Sequence, residues 1–165
     1  MSALAAGTKA PEFELKSTDG KTFSLQAELA RGPVVLVFFK VSCPTCQYAL
    51  PMFERLYHAY GSKGVRLVGI SQNDARETAA FIREFGINFP VLLDDTHSYP
   101  ASNAYGLTNV PSVFWVAQDQ EIEISSVGWL KADFESMNRK IAGIDKVSPS
   151  VIFRPGEEVR DFRAG

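Results

Sequence analysis

The chain contains two cysteines, Cys43 and Cys46, and they stand two residues apart in "KVSCPTCQYALP". Thiols at this spacing serve one of three chemistries: half of a metal site, a pair of structural thiols, or a redox couple that opens and closes. A structural zinc usually takes four ligands, and one C-x-x-C supplies two. His58 and His97 are the only histidines, far apart and without ligand spacing, and they read as surface or packing residues. No metal and no organic cofactor is implied. A structural pair has no need of a special place, whereas Cys43 follows a buried apolar run and Cys46 falls in the first turn of a helix. Backbone N–H groups at a helix start favour negative charge, and such sites lower a cysteine pKa from about 8.5 to roughly 3.5–7.5. The redox couple is therefore the favoured reading: Cys43 attacks a disulfide, and Cys46, one turn on, resolves the mixed disulfide. Pro44 stiffens the turn between them.

The elements that must position this pair are legible around it. "PVVLVFFK" (Pro33 to Lys40) is a continuous β-branched and aromatic run, the pattern of a strand covered on both faces. Beyond the cysteines, Ala49, Leu50, Phe53, Leu56, Tyr57 and Tyr60 recur at helical spacing, with Gly61 and Gly64 bracketing the end. "VRLVGIS" (Val65 to Ser71) is a second strand. Asp74 and Glu77 form a capping-box pattern for a helix with Phe81, Ile82 and Phe85 on one face and Gly86 as terminator. "FPVLLD" is a short strand, and "SYPASNAYG" holds a helical turn. "SVFWV" and "EIEISSV" flank a turn at Ala117 to Gln120, an antiparallel hairpin. "KADFESMNRKIAG" is a closing helix with Phe134, Met137 and Ile141 inward. At the start, Asp19-Gly20 between two short apolar stretches signals another hairpin. The order predicts an α/β sandwich with parallel crossovers and an antiparallel edge. A single domain over 1–165 is expected, with its core at about 7–143 and an irregular tail at 144–165.

Composition sets the outer limits. The 165 residues suffice for one good-sized core. A net charge of −2 gives no reason to expect a nucleic-acid or anionic-membrane partner, and no apolar run approaches the ~18 residues of a membrane span. The opening "MSALAAGTKAPEFEL" lacks a basic region followed by a long apolar stretch. A cytoplasmic protein is expected, although a chain trimmed of its leader would look the same.

Several separate features give the chain a family likeness over roughly Gly7 to Gly143. The Pro33–Lys40 strand runs straight into "CPTC", Pro51 stands five residues past Cys46, and "YGLTNVPSVFWV" (Tyr105 to Val116) follows later. In these the chain resembles thioredoxin-fold redoxins. It is similar to TlpA/ResA-like thiol-disulfide oxidoreductases and to their relatives in the alkyl hydroperoxide reductase/thiol-specific antioxidant family, which includes the peroxiredoxins. The resemblance implies a central mixed sheet flanked by helices, with an N-terminal β-hairpin. It implies a cis Val110–Pro111 bond on a loop facing the dithiol, Val110 offering its backbone to an extended substrate segment. Disulfide-containing proteins are the implied substrates, and an unidentified thiol the electron donor. Lys40 is a candidate for electrostatic support of Cys43.

The departures from this pattern are specific. Thioredoxins carry a buried Asp six residues before the first cysteine, where this chain has Val37, and Trp just before it, where this chain has Ser42. "SQND" stands where related membrane-anchored reductases have a glutamate, and N-capping explains Asp74 equally well. The rival reading is a thiol peroxidase with antioxidant activity, whose site reads Pro-x-x-x-Thr-x-x-Cys. Aligned on Cys46, the proline and threonine positions are Phe39 and Cys43; aligned on Cys43, they are Leu36 and Lys40. The arginine that usually follows the loop proline in that family is Ser112.

Overall fold

The computed structural model describes residues 3–165. In chain order the elements are β1 (Glu14–Lys16), β2 (Thr22–Ser24), α1 (Leu25–Leu29), β3 (Val34–Phe39), α2 (Pro44–Tyr60), β4 (Arg66–Ser71), α3 (Ala75–Phe85), β5 (Val91–Leu93), α4 (Pro100–Ala104), β6 (Ser112–Val116), β7 (Ile122–Val127), β8 (Trp129–Leu130), α5 (Lys131–Asp145) and β9 (Phe162–Arg163). The thioredoxin-like α/β sandwich expected from the sequence is present. Its central sheet has the order β5-β4-β3-β6-β7. The β3–β4 and β4–β5 pairs are parallel, while β3–β6 and β6–β7 are antiparallel. The N-terminal hairpin of β1 and β2 turns at Gly20, whose φ of +85° suits glycine. It docks on the sheet edge through a Ser17–Leu92 bridge.

β3 is buried at every residue because both faces are covered. Val35, Val37 and Phe39 join the core built by α2, α3 and α5. Val34, Leu36 and Phe38 join the core under α1, α4 and the N-terminal hairpin. Phe38 sits against the rings of Tyr105 and Phe114, at 5.4 and 5.8 Å between centroids. α1 was not foreseen. Its five residues offer one apolar pair, Leu25 and Leu29, too few to show a period, and Ser24 caps it by accepting from the Ala27 amide. The capping box at α3 is half formed. The Asp74 carboxylate accepts from the Glu77 amide at 2.8 Å, but Glu77 turns to the Asn73 side chain instead of returning to Asp74.

Residues 146–165 form no helix, yet they are fastened across α2 and α5. Ser150 is held by the Tyr60 hydroxyl and the Asn138 amide. Glu157 forms a two-pronged ion pair with Arg55, at 2.7 and 2.8 Å. The Trp129 indole N–H donates to the Arg160 carbonyl at 2.7 Å, and the Arg160 amide donates to the Tyr48 hydroxyl. β9 then pairs antiparallel with β8. No helix among the described residues is long and apolar enough to cross a membrane.

Two predictions follow from this packing. Phe38→Ala removes a ring that is fully buried, and urea denaturation should show a loss of about 3–5 kcal/mol. The Arg55 guanidinium and the Arg154 amide hold the Glu157 carboxyl down to about 2. A lowered carboxyl contributes stability that is complete above its unfolded value and is lost as pH falls through the folded one. The wild-type chain should therefore lose this contribution between about pH 4.5 and pH 2. Glu157→Gln should be less stable at pH 7 and show a shallower acid limb over that window, measured by thermal melts against pH.

Candidate active site

Three loops meet at one end of the sheet because three strands end there in register. Phe39 pairs with Ser71, and Phe38 with Ser112. The segments 40–43, 72–74 and 109–111 are therefore neighbours. The first is pinned from both sides. The Asn73 side-chain carbonyl accepts from the Val41 amide at 3.0 Å, and the Gln47 side-chain amide donates to the Val41 carbonyl at 2.9 Å. The Cys43 amide donates to the Lys40 carbonyl at 3.3 Å.

This turn delivers Cys43 to the N-cap of α2, with Pro44 in the first helical turn, where its missing N–H costs nothing. The Cys43 sulfur takes the place of a capping oxygen. It accepts from the Cys46 amide at 3.1 Å, the position where a helix start presents unpaired N–H groups to a negative charge. Its thiol donates to the Val110 carbonyl at 3.4 Å. Cys43 is half-buried and Cys46 has no exposed surface; both are free thiols.

Burial pushes the Cys46 thiol well up, and the neighbouring Cys43 sulfur adds to the rise. Cys46 shares its core cluster with Val37, so an aliphatic side chain stands where the thioredoxin pattern would put a carboxylate. The Val110–Pro111 peptide is cis, as the resemblance implied, and Pro111 is buried. Ser112 is buried as well, its hydroxyl donating to the Asn109 carbonyl at 2.7 Å.

Cys43, Cys46, Val110 and Pro111 are thus brought together. Lys40 is exposed at the end of β3, and it meets the turn through its carbonyl, which accepts from the Cys43 amide. Asp74 is occupied as the α3 N-cap. His58 and His97 are exposed on separate elements. Sequence reasoning missed Asn73 and Gln47, which hold the cysteine turn, and Thr45, whose hydroxyl donates to the Ala164 carbonyl at 2.6 Å. Polar residues in "CPTCQ" and "SQND" were the available signal, but the letters do not say which backbone groups they reach.

The AhpC/TSA family pattern matches residues 6–125. The thiol-disulfide oxidoreductase ResA of Halalkalibacterium halodurans is 30% identical over 122 residues, covering 73% of this chain and 68% of that protein. Among solved structures, a thiol:disulfide interchange protein of the thioredoxin family from Chlorobium tepidum superposes with a TM-score of 0.68 and 28% identity. That superposition covers 84% of this chain and 99% of the other. The thioredoxin domain of a thiol-disulfide oxidoreductase from Bacteroides vulgatus gives a TM-score of 0.73 at 20% identity, over 84% and 98%, a likeness of fold. With a thioredoxin-like sheet, a C-x-x-C at the head of α2 and a family match over most of its length, the chain belongs to the AhpC/TSA family.

Proposed function

We propose that this chain, a thioredoxin-like thiol-disulfide oxidoreductase, exchanges disulfides with protein substrates through Cys43 and Cys46. The observation that carries the reading is the asymmetry of the two sulfurs: one half-exposed at a helix N-cap, the other sealed beneath it. The Cys43 thiolate attacks one sulfur of the client disulfide. A Cys43–client disulfide forms and the other client sulfur leaves as a thiolate. Cys46 then attacks the Cys43 sulfur, closing the Cys43–Cys46 disulfide and releasing the second client thiolate. Two electrons pass from the dithiol to the client, and a thiol donor returns them in the next cycle.

The pairing also times the second step. The Cys43 sulfur helps to keep Cys46 protonated. Burial is the larger cause of the raised Cys46 thiol and is unchanged by capture, but turning the Cys43 sulfur into half of a mixed disulfide removes its smaller contribution, so Cys46 ionises more readily after capture than before. The Val110 backbone, beside the Cys43 sulfur, is the docking edge for an extended client segment. The reducing cytoplasm is a compartment in which such a pair would be kept ready to donate electrons.

Non-reducing electrophoresis separates the roles. Cys46→Ser should accumulate client adducts that dithiothreitol removes, while Cys43→Ser should trap almost none. At pH 7, iodoacetamide should label Cys43 faster than Cys46 by more than about tenfold, because the thiolate is the reactive form. Equal trapping by the two variants would refute the assignment. The reduced wild-type chain should also reduce insulin disulfides; turnover of hydrogen peroxide without insulin reduction would replace this reading with a peroxidase.

A further inference from the structure

The place where a client segment would meet Val110 already holds a piece of this chain. From Asp161 onward the backbone runs along β8: the Lys131 amide donates to the Asp161 carbonyl at 3.0 Å, and Arg163 pairs with Trp129. The Ala164 carbonyl then accepts from Thr45, between the two cysteines, at 2.6 Å. Gly165 lies flat on the cis-proline loop. A Cβ at this position would fall 2.2 Å from the Val110 carbonyl oxygen, the same oxygen that accepts from Cys43. The fit extends to Gly128, where a Cβ would fall 2.4 Å from the Arg163 carbonyl.

The seat is tight in backbone, and among its side chains only Arg163 is half-buried, its guanidinium over the Tyr48 ring at 5.0 Å. Phe162 is 57% exposed, and Ala164 and Gly165 are exposed as well. The firm fastenings, at Ser150, Glu157 and Arg160, lie upstream.

We propose that Phe162–Gly165 is a specificity strap: it occupies the client-strand position at Val110, so small disulfides reach Cys43 with it seated, whereas extended polypeptide disulfides must displace it. The inference rests on the dithiol-exchange reading above. The electron balance is that of the exchange itself, with two electrons per reduced chain, and the strap takes no part in bond making. Half-buried Cys43 leaves room for a small reagent, while the Val110 backbone is covered.

The test is single-turnover oxidation of the reduced chain by hydroxyethyl disulfide and by oxidised insulin. Two variants are compared with wild type: deletion of 162–165, and Gly165→Val, which keeps the strap but cannot seat it. In both variants insulin reduction should rise about tenfold, the scale set by losing one or two partly exposed hydrogen bonds. Hydroxyethyl disulfide should react within about twofold of wild type, since its access to the Cys43 thiolate does not change. A peptide of sequence Asp-Phe-Arg-Ala-Gly added to the deletion variant should shift the Thr45 and Val110 resonances and slow insulin again. Wild-type rates on both substrates in both variants would overturn the strap alone. A fall in insulin reduction would also overturn it, making the segment a wall that clients need. Failure of the intact chain on both disulfides would overturn the exchange reading and the strap together.

Discussion

The site depends on the register of one strand. β3 is paired on both edges and buried on both faces, so it has no freedom to slide. A shift of one residue would turn Val35, Val37 and Phe39 out of one core and into the other. That register fixes where the chain leaves the sheet at Lys40, and through the Phe38–Ser112 and Phe39–Ser71 pairs it fixes the two neighbouring loops as well. Cys43 meets Val110, and Asn73 meets Val41, because three strand ends are locked side by side.

On this frame the two thiols acquire opposite surroundings over a single helical turn. Cys43 caps α2 and faces a backbone N–H, the Val110 carbonyl and partial solvent. Cys46 points into a core of aliphatic and aromatic side chains, with Val37 in the same cluster. The N-terminal end of one helix therefore presents one part-exposed sulfur and one sealed sulfur. With Val37 in place of a carboxylate, burial holds the Cys46 thiol up, and the neighbouring Cys43 sulfur adds to that rise.

The C-terminal stretch shows a gradient of attachment. Its upstream part is held by a two-pronged ion pair, an indole hydrogen bond and the Tyr60–Asn138–Ser150 linkage. Arg163 adds a cation–π contact at 5.0 Å from the Tyr48 ring, and beyond it the contacts are mainly to backbone. The last two residues lie over the Val110–Pro111 loop, Ala164 meeting Thr45 and Gly165 meeting Asn109. The same helix, α2, carries the dithiol at one end and Arg55 and Tyr60 further along, so redox site and clamp share one rigid element.

Much of this was legible in the letters. The β3 run, the helical spacing after the cysteines, Gly61 and Gly86 as terminators and the hairpin around Ala117–Gln120 are local patterns, and local patterns report backbone preference directly. The spacing of Cys43 and Cys46 already fixed one helical turn between them. α1 escaped because five residues carry no period, and the Glu77 half of the capping box went elsewhere because Asn73 offered a competing donor. The fastening of residues 146–165 was out of reach of any window, since Glu157 and Arg55 are about a hundred positions apart and each is an ordinary surface charge in isolation. The sequence by itself determined the fold class and the dithiol, because each rests on neighbouring residues, whereas the loop expected to face the dithiol came through the family resemblance. Only the tertiary structure decided that Asn73 and Gln47 hold the cysteine turn, that Cys46 is sealed, and that Gly165 lies on Val110. Apart from the local Gln47–Val41 bond, those contacts join segments far apart in the chain, and the register of the folded sheet and the packing around it bring them together.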